Sequence, residues 1–215
     1  SNFSLFDLFV KLLAHSAYGS QTFLFVLGNH EFWEFPDLSV EHITDKYRKL
    51  LEEHGMYLLQ NDLFYKNEFD DMGIIPYAEL EQMTNAELTE RLRCSRLVVF
   101  GGTGFSGCNV EFNANNGIYW NTVDRETEIQ ESKKFDNLYQ KLLPVLDQKN
   151  TVIFTHTPQK DWSSNPKSHA KFVYVSGHTH RNVFYDDGEE RIYADNQIGF
   201  HNNNFRSFRG REING

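Results

Sequence analysis

With 215 residues, 40% of them hydrophobic and 24% charged, the chain has the balance of an ordinary soluble globular protein and too little length for two large domains. Twenty-one basic against thirty acidic residues give a formal charge of −9, which repels nucleic-acid backbones, anionic membranes and phosphate substrates unless bound cations reverse the local field. No run approaches the ~20 apolar residues of a membrane span, the N-terminus lacks a signal peptide's basic flank and cleavage site, and two cysteines, Cys94 and Cys108, suit a reducing cytoplasm better than a disulfide.

The opening residues already carry a helical pattern. Phe6, Phe9, Val10 and Leu13 share a face, which predicts a helix from about Ser4 to Ala17 stopping at Gly19. A sequence that opens inside a helix without an initiator Met reads as a fragment. Thr22 to Leu27 is short, apolar and bounded by turn residues, as a buried strand is, and leads into a loop, Gly28-Asn29-His30-Glu31. Asp37 or Ser39 caps a helix from about Val40 to His54, closed by Gly55. Met56 to Tyr65 reads as strand with a turn at Asn61-Asp62. Thr84, with Glu87 three residues on, opens a helix through Arg93.

Leu97 to Phe100 is a second buried strand, ending in Gly101-Gly102-Thr103-Gly104-Phe105-Ser106-Gly107. An Asn-rich stretch (Asn109, Asn113, Asn115, Asn116) precedes a long helix from about Asp124 to Leu146. Thr151 to Thr155 is strand before His156-Thr157-Pro158, and Phe172 to Val175 is strand before Gly177-His178-Thr179-His180. Asn182 to Tyr185 and Arg191 to Ala194 flank Asp187-Gly188, a hairpin signal. No repeat or linker interrupts the chain, so residues 1–215 are expected to form one α/β domain, with polar, Arg-rich His201 to Gly215 as a loosely held tail.

Three buried strands thus run directly into loops that hold His. Singly, each loop is weak evidence. His178 and His180, two apart, can converge on one region, as metal ligands require, or can be two polar loop residues. His156 sits in a turn stiffened by Pro158, but a lone strand-end His is more often structural. Asn29 and His30 point in different directions, so one could bind metal while the other faces substrate; the bland alternative is a helix-capping turn. Together they are more specific, because the strand ends of an open α/β sheet gather their loops along one edge.

Gly28-Asn29-His30-Glu31, His156 and Gly177-His178-Thr179-His180, in this order and after these strands, resemble the motifs of the calcineurin-like metallophosphoesterases over about residues 22 to 200. The resemblance implies an α/β/β/α sandwich of two packed mixed sheets, here lacking its first strands. It implies hydrolysis of a phosphomonoester or phosphodiester by a hydroxide held on two divalent metal ions, Mn, Fe, Zn or similar. Asn29, His156 and His178 would bind one metal and His180 the other. His30 would contact the phosphate and act as general acid, and Glu31 stands where the family has a group orienting that His. The implied substrates are phosphorylated small molecules, nucleotides or phosphoproteins; the acidic balance disfavours long nucleic acid, and no membrane partner is expected.

The departures matter too. The family's Asp-x-His and Gly-Asp-x-x-Asp motifs, which hold three further ligands, do not occur before Gly28, and His15 lies in the helical pattern. Turnover by these residues is therefore expected to be impaired, the alternative being a binding or scaffold module that has lost catalysis. A structural zinc domain is disfavoured by the lack of clustered Cys. Gly102 to Gly107 matches dinucleotide-fingerprint spacing, but Cys108 to Asn113 is a poor helix start, so the glycines are read as allowing close backbone approach. Phe105, Tyr119, Trp120 and Trp162 are read as core rather than base-stacking residues, and Lys46, Arg48, Lys49, Glu52 and Glu53 as a solvated helix face.

Overall fold

The computed structural model describes residues 2–16, 18, 21–109, 124–147, 149–167, 169 and 172–179, and the backbone of 183–186 and 192–195. In chain order the elements are α1 (Phe3–Ala14), β1 (Leu24–Phe25), α2 (Asn29–Trp33), α3 (Val40–Glu52), β2 (Tyr57–Leu58), β3 (Asp62–Asn67), β4 (Met72–Ile75), α4 (Tyr77–Gln82) and α5 (Asn85–Arg91). Then follow β5 (Ser95–Gly102), α6 (Arg125–Leu146), β6 (Thr151–Thr155), α7 (Gln159–Trp162), β7 (Val173–Ser176), β8 (Val183–Asp186) and β9 (Ile192–Asp195). A mixed seven-stranded sheet has the order β4-β3-β5-β6-β7-β9-β8, and β1 and β2 form a separate parallel pair.

Period-two alternation along the strands builds four layers. Leu97 and Val99 of β5, Phe64 of β3, and Val152 and Phe154 of β6 face Leu24, Val26 and Leu59, filling the space between the sheets. The alternate residues Val98, Phe100, Leu63 and Ile153 turn the other way, onto Leu88 and Leu92 beside α5 and Phe135, Leu138, Tyr139 and Leu142 of α6. On the far side of the small sheet, Phe23, Phe25, Leu27 and Leu58 meet Val10 of α1 and Ile43, Tyr47 and Leu51 of α3. This is the expected α/β/β/α sandwich.

Local chemistry sets most boundaries where the sequence places them. Ser39 Oγ accepts from the His42 N–H, Thr84 Oγ1 from the Glu87 N–H, and Asp124 from the Thr127 N–H, each opening its helix. Gly55 closes α3 with φ 69°. The paired strands β8 and β9 are antiparallel, as the hairpin signal predicts, while Gly19, Asn113, Asn115, Asn116, Tyr119, Trp120, Asp187-Gly188, His180 and the 201–215 tail lie outside the described residues. Both cysteines are free thiols.

Four features differ from expectation. The Gly28–Glu31 loop opens a helical turn, α2, and short elements β4, α4 and α7 punctuate segments read as irregular. Arg48 is not simply solvated: its guanidinium reaches Asp62, whose side chain is only 4% exposed, at 3.1 Å. Lys46 lies over the Phe3 ring, 4.3 Å from its centroid. Phe105 and Trp162 are core residues as expected, 1% and 0% exposed.

Beneath the glycine-rich loop, buried Glu128 accepts a hydrogen bond from the Ser106 N–H (3.2 Å). Burial, aided by nearby Asp161, pushes its carboxyl from 4.5 up to about 7 against the lowering effect of Ser106; Asp62, Glu131 and Asp161 are raised by burial as well. Between about pH 4.5 and 7 the folded chain therefore holds a proton at Glu128 that the unfolded chain has released. That contribution is complete at the acid end and lost as pH climbs through the folded value. Urea denaturation should show lower stability at pH 8 than at pH 5.5, and Glu128→Gln should remove on the order of 2 kcal/mol of that difference.

Candidate functional site

β5, β6 and β7 are parallel neighbours, and β1 runs parallel to β2 in the other sheet. The segments leaving β1, β6 and β7 meet at one edge of the sandwich. Asn29 Oδ1 lies 2.9 Å from His156 Nε2, and His178 Nδ1 lies 3.2 Å from the same nitrogen. The two imidazole rings meet edge-on, with centroids 5.1 Å apart. Asn29 is buried; both histidines are half-buried.

The local sequence explains this approach. A methyl group on Gly28 would sit 2.7 Å from His156 Cε1, 2.9 Å from its Nδ1 and 3.1 Å from Glu31 Oε2, so only glycine leaves room for the ring. Asn29 is the first residue of α2, which is anchored by Phe32 packing on Phe105 at 5.5 Å between centroids. The turn after β6 is fixed by Thr155 Oγ1 donating to the Thr157 carbonyl (2.7 Å) and Thr157 Oγ1 donating to the Phe105 carbonyl (2.7 Å). His178 has φ 67°, left-handed backbone that His visits more readily than most residues. The Gly177 N–H donates to the His156 carbonyl (2.9 Å), joining the two His turns directly.

Of the residues the sequence singles out, the structure thus brings Asn29, His156 and His178 together. His30 leaves the same turn as Asn29, but its side chain is exposed and stacks on Trp33, with ring centroids 4.6 Å apart and planes 29° apart. Glu31 Oε2 accepts from the Gly28 N–H (2.9 Å), closing the first turn of α2. His180 lies outside the described residues. Among the described residues, no group of three or more His, Cys, Asp and Glu side chains has metal-binding spacing; the observed trio counts an amide among its donors.

Sequence reasoning passes over Trp33 and the turn after β2. The signal for Trp33 was the pairing of Gly28 with Glu31 three residues on, which opens a helix and puts residues 30 and 33 on one face. Gln60 Oε1 accepts from both the N–H and the hydroxyl of Thr103, and the Thr103 carbonyl accepts from the Thr157 N–H. The strand-end turn of β2 is thereby tied to the His156 turn. Asp62 pairs in register with Gly101 near the end of β5, so the open cleft of about 800 Å³ lined by Arg48, Gln60, Asn61, Asp62 and Tyr77 lies on the same sheet edge. The glycine-rich loop after β5 stays irregular through Asn109, with Gly104 and Phe105 in left-handed conformations, and among the described residues it opens no helix aimed at a nucleotide.

Neither curated proteins nor solved structures gave a match to the chain. A family profile described as calcineurin-like phosphoesterase matches residues 2–182, a span that takes in α1, the small sheet, β3 to β7 of the large sheet and all three residues that meet at the edge. The chain belongs to the calcineurin-like phosphoesterase family.

Proposed function

We propose that this protein hydrolyses a phosphomonoester or phosphodiester with divalent cations held at the Asn29–His156–His178 edge, the substrate being a phosphorylated small molecule, a nucleotide or a phosphoprotein. The convergence of three unlike donors carries the reading. Ligands at about 2.0–2.2 Å from one cation, at tetrahedral or octahedral angles, sit roughly 3.0–3.5 Å from each other. The separations of 2.9 and 3.2 Å fall close to that range. One amide oxygen and two imidazole nitrogens form a mixed set suited to Mn, Fe or Zn, and His180 is assigned to a second cation.

Cations there supply charge neutralisation at the phosphoryl group and activation of water. The chain's own residues do the rest. Asn29 contributes a neutral oxygen from a buried position, which keeps the donor set from adding negative charge to an already acidic chain. The His156 and His178 rings, fixed by their interlocked turns, must present unprotonated nitrogens. His30, exposed beside them, contacts the phosphate and gives the proton of its ring N–H to the departing oxygen, since an alkoxide leaves poorly. Glu31 acts through the backbone, holding the turn that carries both Asn29 and His30.

The second reading is a binding module without turnover on the same fold. The two readings part on a single preparation. Chelator-stripped protein is expected to bind Mn²⁺ by calorimetry and to regain slow hydrolysis of p-nitrophenyl esters, both lost with chelator. His156→Ala and His178→Ala should each weaken Mn²⁺ binding at least about tenfold. Binding without metal-dependent turnover would select the module; no binding would sink both. Gly28→Ala tests the packing of the site: displacing the His156 ring should cost about 1–3 kcal/mol of stability and roughly ten- to a hundredfold in Mn²⁺ affinity.

A further inference from the structure

We propose that Trp33 is the positioning residue of His30, holding the imidazole that delivers the proton in one orientation beside the Asn29–His156–His178 group. The inference rests on the reading of His30 as the proton donor, and it supplies something that reading lacks. A proton donor that wanders among rotamers is rarely in line with the leaving oxygen.

Three observations point to the indole. The rings stack at 4.6 Å and 29°, a geometry that shifts an orientation equilibrium roughly two- to tenfold. His30 and Trp33 are separated by three residues on α2, so the helix itself brings them onto one face. Glu31 Oε2 receives the Gly28 N–H at 2.9 Å and so braces the turn that carries both rings. Trp33 also keeps 38% of its surface exposed, too much for a residue whose task is filling the core. Its ring instead forms a wall against which the imidazole rests. α2 itself is seated from its other side by buried Phe32 on Phe105, so the platform does not depend on Trp33 for its own stability.

The test compares two Mn²⁺-dependent substrates that differ only in leaving group, a p-nitrophenyl ester that needs little protonation and a phenyl ester that needs it. Trp33→Ala should lower kcat for the phenyl ester roughly three- to tenfold, with p-nitrophenyl turnover, KM and melting midpoint little changed. Trp33→Phe should restore the phenyl rate to within about twofold, since a smaller ring still stacks. In a His30→Ala background, Trp33→Ala should add nothing. A readout independent of turnover is the His30 imidazole C–H resonance in NMR, displaced upfield by the indole in the parent chain, largely kept in Trp33→Phe and lost in Trp33→Ala. If His30→Ala is leaving-group selective but Trp33→Ala slows both esters equally, the positioning role of Trp33 is overturned and His30 stands as the acid. If His30→Ala is itself unselective, or no turnover is measurable, the acid reading fails and this inference with it, even where the NMR shift persists. An unshifted His30 resonance overturns the stack directly.

Discussion

Two imidazoles and an amide meet at the sheet edge around a single nitrogen, His156 Nε2, which has Asn29 Oδ1 2.9 Å away and His178 Nδ1 3.2 Å away. That nitrogen can carry at most one proton and can satisfy one of these neighbours by donating it. Two ring nitrogens 3.2 Å apart must likewise share a proton or face each other as lone pairs. Much of the surrounding structure serves to keep these atoms this close.

The constraint reaches outward in layers. Inter-sheet packing of Leu24, Val26 and Leu59 against Val99, Val152 and Phe154 fixes how far the small sheet slides over the large one. Sliding it would carry Asn29 away from the histidines. Glycine at position 28 lets backbone and ring share space that no other residue would leave open. Arg48, reaching from α3 to nearly buried Asp62, and Gln60, bonded to Thr103, fasten the outer layer to the large sheet at this same edge. An ion pair of this kind, with its carboxylate buried, adds little net stability, because desolvation offsets its Coulomb energy.

The large periodic features were legible in the sequence because their signals are local. Thr84, Ser39 and Asp124 cap helices through their own side chains, and the alternation in β5 and β6 records two buried faces. Strand-end position gathered the His-bearing loops along one edge, and the family resemblance nominated Asn29, His156 and His178 among them. What was not legible depends on neighbours distant in sequence. α2 spans five residues after a capping glycine, too short for periodicity to announce. Arg48 looks like any exposed helix charge until Asp62 arrives fourteen residues later. The left-handed backbone of His178 follows from closure of its turn onto His156, and the indole beside His30 becomes visible only once Asn29 to Trp33 is known to be helical.

The two histidines are separated by 22 residues and lie at the ends of adjacent strands, whereas Asn29 and His156 are 127 residues apart. The imidazole pair thus belongs to one cooperative unit, the β5–β6–β7 core, and the amide belongs to another that docks against it. During folding the pair can form as soon as those strands zip together, while the third donor waits on a contact of high order. Any opening that lifted the α1–β1–α3 layer would strip the oxygen from the cluster and leave the nitrogens in place. Assembly of the edge thereby reports whether the two halves of the sandwich have come together.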